Sequence, residues 1–241
     1  FRKVTDEGVK FRNHIDGSYH FFTPESVIDI QRTIKSHIIM PLDECTPADT
    51  EKKYASIAMH RTHKWAKQSK LYNDSFYDRQ ILFGVIQGNM FLDLRKESAK
   101  ILVDMDFDSY SIGGLSVGEE KSLMYEITGE VIPYIPENKA RYLMGVGAPE
   151  DIIEAVDNGI DMFDCVIPTR NGRNGMLFTK KGAFNIKNAK YKFDFTPVQE
   201  DCTCYTCRNF SRAYLRHLFL IREIFALQLA SIHNLAFFLY L

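Results

Sequence analysis

The chain has 241 residues, 45% of them hydrophobic and 25% charged, which is enough for one large domain or for a domain with a small appendix. The net charge of −1 excludes a protein that is basic throughout, but the cations are unevenly distributed. No acid occurs between Asp164 and Asp194, where seven lysines and arginines fall, and four more arginines follow the cysteine-rich segment. Such runs are as often solvated faces as binding surfaces.

Neither end of the sequence is expected to be a signal peptide or a membrane span. The first residues are charged and polar, a pattern that does not predict a signal peptide. The last eighteen residues, Ile224–Leu241, lack formal charges, but four polar side chains interrupt them, which favours a buried amphipathic helix over a membrane span. Because the chain opens on Phe1 and stops on an apolar Leu-Tyr-Leu, we expect both ends to continue in a longer protein. Its location is predicted to be cytoplasmic.

Apolar runs alternate with helical patterns along the first two thirds of the chain. Five runs predict strands: Ser36–Leu42, Gln80–Ile86, Ser109–Ile112, Arg141–Met144 and Met162–Ile167. Four stretches with helical spacing lie between them: Thr50–Leu71, Met90–Met105, Glu119–Val131 and Pro149–Val156. This alternation predicts an α/β protein whose parallel sheet is connected by crossover helices.

Polar and glycine residues concentrate after each predicted strand, which indicates that the carboxyl edge of the sheet carries the function. A doubly wound sheet is the competing architecture, but the spacing in Gly113–Gly118 does not match its GxGxxG turn. We therefore predict a (β/α)8 TIM-type barrel of which residues 1–175 supply about five units, with about three strands upstream of Phe1. Residues 176–209 are predicted to form a β-excursion and zinc-binding subdomain, and residues 210–241 one long final helix.

In the stretch Ile160–Gly175, Asp164 is the last acid before a predicted turn that carries Arg170 and Arg173. The turn itself contains no carboxylate to pair with these arginines, which favours chemistry on a phosphate-bearing substrate. Asp43 also ends an apolar run, so two carboxylates would converge on one edge, an arrangement that suits bond cleavage at a sugar carbon. Asp43 could instead cap the next helix. Gln87 and the Gly113–Gly118 turn offer donors and acceptors to a flat heterocycle.

Three of the five cysteines lie close together. Cys202, Cys204 and Cys207 offer three soft ligands within six residues, a spacing typical of a closed, structural zinc site in a reducing compartment. The fourth ligand is expected from the following helical stretch, where His217 and His233 are both candidates.

Six ordered motifs resemble the tRNA-guanine transglycosylases over nearly the whole chain. They are DECTP at 43–47, GVIQG at 84–88, GGLSVGE at 113–119, YLMGVG at 142–147, DMFDCVIPTRNGRNG at 161–175, and CxCxxC at 202–207 followed by His233-Asn234. The resemblance implies a TIM-type barrel with a zinc-binding insertion before the last helix. It also implies exchange of guanine at the anticodon wobble position of tRNA for a 7-deazaguanine base.

The resemblance also assigns residues. Asp164 matches the nucleophile that attacks the ribose anomeric carbon, and Asp43 matches the acid that accepts hydrogen bonds from the guanine edge. Further base contacts are implied at Gln87, Gly114, Leu115 and Met144. The implied tRNA contacts are Gly145, Val146, Gly147, Ala148, Pro149, Glu150, Asp151, Thr169, Arg170, Asn171, Gly172 and Arg173. The implied zinc ligands are Cys202, Cys204, Cys207 and His233, which selects His233 over His217.

The substrates follow from the same resemblance. Val117 and Cys45 match the bacterial branch, which predicts 7-aminomethyl-7-deazaguanine as the incoming base, because valine would crowd a larger substituent. The implied partners are tRNA with a G-U-N anticodon, guanine and the deazaguanine base, and a second copy of the chain in a homodimer. One structural zinc ion and no organic cofactor are expected, and no membrane partner.

One family residue has no counterpart in this sequence. The family has a further aspartate, in a DSGG-type motif, that accepts a proton and binds the base, and it would lie before Phe1. The alternatives are therefore a non-catalytic zinc-containing tRNA-binding homologue or an inactive fragment. A barrel glycoside hydrolase is a third class, and it would predict aromatic sugar platforms and no arginine turn.

Overall fold

The computed structural model describes residues Phe1–Leu241, which form two compact units. The first unit comprises Phe1–Val146 and Glu154–Asp164, and the second comprises Gly147–Ile153 and Cys165–Leu241. Each unit has its own cluster of buried apolar side chains. The two units are therefore described separately below.

The first unit opens with an antiparallel sheet that the sequence patterns did not predict. Its strands are β1 (Arg2–Val4), β2 (Val9–Arg12) and β3 (Tyr19–Phe22), in that order. Helix α1 (Pro24–Ile34) follows at once. Thr23 caps its N-terminus by accepting a hydrogen bond from the backbone N–H of Ser26, and the side chain of Ser26 returns a bond to Thr23.

A five-stranded parallel sheet forms the main body of the first unit. Its strands are β4 (Ile38–Ile39), β5 (Ile81–Ile86), β6 (Ser109–Ile112), β7 (Arg141–Leu143) and β8 (Met162–Phe163). The helices between them are α2 (Lys52–Asp74), α3 (Leu92–Asp104), α4 (Lys121–Val131) and α5 (Pro149–Asp157). All five predicted strands and all four predicted helices are confirmed, although β4 and β8 each keep only two residues of the longer runs predicted for them.

The strands of this sheet lie side by side in the order in which they occur along the chain, and every pair is parallel. A doubly wound sheet reverses its strand order at a switch point. No such reversal occurs among the five strands, so the doubly wound alternative is excluded for this sheet. The protein is an α/β protein with a sequentially wound parallel sheet.

Buried aliphatic side chains from strands and helices pack on the sheet. Ile39, Leu82, Ile112 and Leu143, one from each of four strands, are each at most 2% exposed. Burial of this kind contributes roughly 2 kcal/mol for each large aliphatic side chain. The carboxyl ends of the strands are thereby held at fixed positions, and the loops that follow them carry the candidate site.

The second unit is built from short elements. They are α6 (Ile167–Arg173), β9 (Met176–Leu177), β10 (Phe184–Asn185), α7 (Tyr205–Asn209), α8 (Arg212–Leu220) and α9 (Ile224–Leu239). Strands β9 and β10 pair as an antiparallel hairpin, within the stretch where a β-excursion was predicted. None of the nine α-helices of the chain has both the length and the apolar character that crossing a membrane requires.

Two predictions about this unit are wrong. Arg170 and Arg173 lie in a helix, α6, and not in a turn, because Pro168 occupies its first turn, where a proline is tolerated. The single long helix predicted from about residue 210 is two helices, α8 and α9. They are separated at Arg222, whose φ of 61° lies in the left-handed region that a continuous helix does not adopt.

Helices α6 and α9 pack closely through small residues. A Cβ atom on Gly172 would lie 3.1 Å from backbone atoms of Ala230 and Ser231, so the glycine permits the close approach of the two helices. Leu229 and Ala230 of α9 are fully buried in the core of this unit, together with Leu215 of α8.

Candidate active site and metal centre

Asp164 follows β8 at the carboxyl edge of the parallel sheet. Its Oδ1 atom accepts two hydrogen bonds, one from the hydroxyl of Tyr142 at 2.6 Å and one from the backbone N–H of Gly145 at 2.8 Å. Both donors come from β7 and the loop after it, the neighbouring strand in the sheet. The side chain is exposed, and neither bond uses Oδ2. The carboxylate is therefore held by one oxygen, and the other can reach a ligand.

Tyr142 is a functional candidate that the sequence analysis did not assign. Burial, and then the bond to Asp164, raise the pKa of the Tyr142 hydroxyl above its usual value. The phenol therefore stays protonated at neutral pH and remains a donor to the carboxylate. A tyrosine inside a strand pattern carries no signal of such a role in a single sequence.

Asp43 and Gln87 meet at the same edge, after β4 and β5. The amide Nε2 of Gln87 donates to Oδ2 of Asp43 at 2.7 Å, and Gln87 is only 3% exposed. Burial raises the pKa of the Asp43 carboxyl, and the bond from Gln87 offsets part of that effect. The pair presents a carboxylate and an amide side by side, a set of groups that can pair with the edge of a purine-like base.

Gly114, in the turn after β6, is tightly enclosed by Gln87. Its φ is 65°, and a Cβ at this position would lie 2.3 Å from Oε1 of Gln87. Only glycine adopts this conformation without strain and leaves the amide in place. The three groups predicted to bind a base, Asp43, Gln87 and Gly114, are therefore brought together by the strands β4, β5 and β6.

Arg95 on α3 holds the loops that carry Gln87 and Gly114 by hydrogen bonds, and the sequence analysis did not predict this role. The side chain is fully buried and has no carboxylate partner. It donates to four backbone carbonyls, those of Ile86, Asn89, Gly113 and Gly114, at 2.6 to 3.0 Å. Burial lowers the pKa of its guanidinium to about 10, so it stays charged at neutral pH. Arg95 therefore connects the loop after β5 to the turn after β6.

The remaining predicted base contacts lie on the turn after β6 and on the loop after β7. Leu115 is 3% exposed, and Met144 is half-buried just after β7, where its backbone N–H donates to Ile112 at 3.1 Å. Val117 is 40% exposed, and its loop is held by Glu119, which accepts hydrogen bonds from the backbone N–H groups of Ser116 and Val117.

The residues predicted to contact tRNA differ in exposure. Four are buried, namely Val146, Gly147, Asp151 and Gly172, and offer little surface to an RNA. Gly145, Glu150, Arg170 and Arg173 are exposed, and Ala148, Pro149, Thr169 and Asn171 are half-buried. Neither arginine forms an ion pair, so both guanidinium groups remain available to phosphates.

The second unit contains a compact group of metal ligands. Its ligand atoms, from Cys202, Cys204, Cys207 and His233, all lie within 4.8 Å of one another. The three sulfurs are 3.8, 3.7 and 3.3 Å from Nδ1 of His233. Sulfur and nitrogen ligands of a tetrahedral zinc ion, with bonds of about 2.3 and 2.0 Å, are separated by about 3.5 Å. The set therefore fits one zinc ion with all four positions filled.

His233 and its neighbour Asn234 connect this group to the rest of the unit. Nε2 of His233 is 2.8 Å from the backbone carbonyl of Phe178, an arrangement that places the ring proton on Nε2 and leaves Nδ1 free for a metal. Asn234 accepts from the N–H of Phe178 at 3.1 Å and donates to the carbonyls of Pro168 and Met176, each at 2.9 Å. The two residues thereby join α6, β9 and α9 beside the metal ligands.

Together, these features define an α/β protein whose first unit carries an exposed carboxylate and a group of polar residues at one sheet edge, and whose second unit carries a Cys3His group of metal ligands. A family model described as queuine tRNA-ribosyltransferase matches residues 1–241. The chain belongs to the queuine tRNA-ribosyltransferase family.

The chain is similar to curated bacterial relatives named queuine tRNA-ribosyltransferase. It is 57% identical to that of Caldanaerobacter subterraneus subsp. tengcongensis over 236 residues, which cover 98% of this chain and 63% of the relative. It is 56% identical to the protein of a Thermoanaerobacter species over the same shares of the two chains. It is 52% identical to that of Lawsonia intracellularis, covering 99% of this chain and 64% of the relative. The chain therefore spans somewhat less than two thirds of the relatives it matches.

Proposed function

We propose that the protein is a tRNA-guanine transglycosylase, which exchanges guanine at the anticodon wobble position for 7-aminomethyl-7-deazaguanine in queuosine synthesis. The observation that carries the proposal is the exposed Asp164 carboxylate, fixed by Tyr142 and Gly145 on the sheet edge that also holds the Asp43–Gln87 pair. The relatives' names specify a ribosyl transfer that involves tRNA. The sequential parallel sheet supports a (β/α)8 barrel as the complete architecture.

In the proposed reaction, Oδ2 of Asp164 attacks C1′ of the wobble ribose while the bond from C1′ to guanine breaks. The electron pair of that bond leaves with guanine, which takes up a proton, and an ester now joins Asp164 to the ribose. The incoming base loses a proton and attacks C1′, and Asp164 is released as a carboxylate. Two displacements at one carbon retain the configuration of the sugar.

The base pocket is assigned to the groups around Asp43. In our proposal, the Asp43 carboxylate accepts hydrogen bonds from N–H groups of the guanine edge, and Gln87 and the turn at Gly114–Leu115 complete the contacts. Met144 follows β7 and lies next in sequence to Gly145, which holds Asp164. Val117 borders the position of the substituent on the incoming base, and its loop is fixed by Glu119.

The RNA must present its base outside the stack, because a stacked base shields the glycosidic bond. Extrusion costs a few kcal/mol, which phosphate contacts from unpaired cations can offset. Arg170 and Arg173 on α6 are the cations we assign to this role. The proposed partners are a tRNA with a G-U-N anticodon and a second copy of the chain.

The Cys3His group is assigned a structural role, since four protein ligands leave no position on a zinc ion for a substrate. When bound, the zinc ion holds the segment of Cys202–Cys207 against α9 and supplies no step of the reaction.

Incorporation of radiolabelled guanine into unmodified tRNA by the full-length protein tests the proposal. We expect label to accumulate in the tRNA and to be displaced by 7-aminomethyl-7-deazaguanine. Binding of tRNA without any incorporation would instead favour the non-catalytic homologue. Release of free sugar without base exchange would indicate a hydrolase.

The substitution Tyr142→Phe tests how Asp164 is held. Removal of the hydroxyl deletes one of the two bonds to Oδ1, and hydrogen bonds to charged groups are worth about 1.5–3 kcal/mol. We expect kcat for guanine exchange to fall about tenfold while KM for tRNA stays within a factor of about two, because the hydroxyl contacts the nucleophile and not the RNA. Tyr72→Phe is the matched control, since Tyr72 also donates to an aspartate, Asp29, but on α1. Equal losses in both variants would contradict the positioning role.

The substitution Gly114→Ala tests the base pocket. The added methyl group would displace the Gln87 amide and break its bond to Asp43. We expect affinity for guanine, measured by calorimetry, to fall at least about tenfold. Gly182→Ala is the control: its φ of 105° is also positive, no atom lies within 4 Å of the added Cβ, and it lies in the second unit away from the proposed base contacts. If both variants bind guanine equally well, the assignment of this pocket is wrong.

A further inference from the structure

One face of the antiparallel sheet β1–β3 carries cations and aromatic rings. The register places Lys3 opposite Lys10, Lys10 opposite Phe21, and Arg12 opposite Tyr19. Because alternate side chains of a strand point to opposite faces, these five residues share one face. All five are exposed, and the two rings are large apolar groups in solvent, Tyr19 at 60% and Phe21 at 47% exposure.

The opposite face is the more buried of the two. Val4, Val9, Phe11 and Phe22 on it are half-buried, whereas Arg2 and His20 at its edges are exposed. The turn between β1 and β2 is also attached to helix α2, because the indole N–H of Trp65 donates to the carbonyl of Asp6 at 2.9 Å. The other face is therefore the outer face of a sheet whose position is fixed. We call it the cation–aromatic face, and its residues are Lys3, Lys10, Arg12, Tyr19 and Phe21.

The charges of this face are not neutralised. None of its three cations forms an ion pair, and no acid lies on the face. Nearby acids in the turns have other partners: Asp6 pairs with Arg61 at 3.0 Å, and Asp16 accepts from the N–H and the hydroxyl of Ser18. The ammonium of Lys10 lies 5.3 Å from the centre of the Tyr19 ring, so the cation and the ring act at one place.

We propose that the cation–aromatic face binds an unpaired stretch of the tRNA, with Tyr19 and Phe21 stacking on bases and the three cations contacting phosphates. This proposal rests on the proposed function, which supplies the RNA. Tyr19 and Phe21 are two residues apart on one strand, about 7 Å, a separation that suits successive bases of an extended strand. Proteins that bind single-stranded RNA combine a positive surface with aromatic rings on a sheet in the same way.

The charge pattern favours RNA over a protein partner. The centres of protein interfaces are depleted in charged residues, and lysine is depleted at interfaces generally. Here two lysines and an arginine alternate with two rings across the whole face. Nothing in the proposed reaction uses this sheet, so it would serve affinity and tRNA orientation and not the chemical step.

Binding of fluorescently labelled tRNA, measured by anisotropy at several salt concentrations, tests the proposal. We expect the double variant Tyr19→Ala with Phe21→Ala to raise Kd at least about tenfold, with an unchanged slope of log K against log salt. Lys3→Ala with Lys10→Ala should weaken binding and reduce that slope by about 0.7 for each cation removed. Tyr19→Phe with Phe21→Tyr keeps both rings and should preserve affinity, which separates stacking from misfolding of the sheet.

Matched controls come from the same unit. Tyr77→Ala and Lys67→Ala remove an exposed ring and an exposed cation away from the sheet and should leave Kd within a factor of about two. Equal tRNA binding by the sheet variants and the unmodified protein would overturn this inference and leave the proposed function standing. If the unmodified protein does not bind tRNA, both this inference and the proposed function are overturned. If the unmodified protein binds tRNA but exchanges no guanine, and the ring variants lose that binding, only the proposed function is overturned.

Discussion

We expect the substitution Asp164→Asn to lower the rate of guanine exchange at least about a thousandfold and to leave tRNA affinity nearly unchanged. An amide is too weak a nucleophile to form the ester with the ribose. The substitution should preserve the local structure, because Oδ1 of the asparagine can accept the two hydrogen bonds that Tyr142 and Gly145 donate to Asp164. A loss of rate without a loss of stability therefore isolates the chemical role of the carboxylate.

The covalent intermediate gives this prediction a second measurement. With guanine omitted, unmodified protein and tRNA should form an adduct that survives denaturing electrophoresis, and Asp164→Asn should form none. Asp161→Asn is the matched control, since Asp161 is also exposed near β8 but accepts from the backbone N–H of Arg141 at 2.9 Å. Exchange or adduct formation by Asp164→Asn at the unmodified level would refute the assignment of the nucleophile.

The sheet edge is the part of the site that the sequence predicts best. Parallel strands all end at one edge, so apolar runs followed by Asp43, Gln87 and Asp164 place these side chains on that edge without knowledge of the coordinates. The bond between Asp43 and Gln87 agrees with this reasoning. The resemblance to a family then assigned roles that periodicity alone left open.

The residues that support the site could not be predicted in the same way. Arg95 looks like an ordinary helix cation, and only the folded chain shows that its guanidinium reaches four carbonyls of two loops. Tyr142 likewise acts through a neighbour 22 residues away. Such roles depend on which loops become neighbours in space, and a single sequence does not encode that in any local pattern.

The missed elements have local causes. The sheet β1–β3 has strands of only three or four residues: β2 alternates apolar and polar residues over just four positions, and β1 and β3 do not alternate. Helix α6 contains Pro168 and Gly172, two residues that usually mark loops. Here the proline occupies the first turn, and the glycine is required by the close approach of α9. Its position in the first turn therefore permits the proline, and tertiary packing requires the glycine.

The largest expected effect on stability belongs to the metal centre. We expect Cys204→Ser to lower the zinc content from about one ion per chain to near zero and to destabilise the second unit by at least about 3 kcal/mol. Metal binding contributes directly to folding of the segment that it holds, and here that segment includes α7, which has only five residues. Serine keeps the other function of this position, because Sγ of Cys204 accepts from the N–H of Cys207 at the start of α7 and serine is a favoured capping residue.

Amide hydrogen exchange shows which part of the chain is destabilised when the zinc ion is lost. The N–H of Phe178 donates to Asn234, next to the ligand His233, so loss of zinc should raise its exchange rate, whereas amides paired between β5 and β6 in the first unit should exchange as before. Cys45→Ser is the matched control, because Cys45 is exposed in the first unit and is not among the four ligands. Full zinc content in Cys204→Ser, or the same loss in Cys45→Ser, would show that the ligand set is wrong.

Two histidine variants test the fourth ligand. We expect His217→Ala to retain its zinc and His233→Ala to lose it, because Nδ1 of His233 is directed at all three sulfurs.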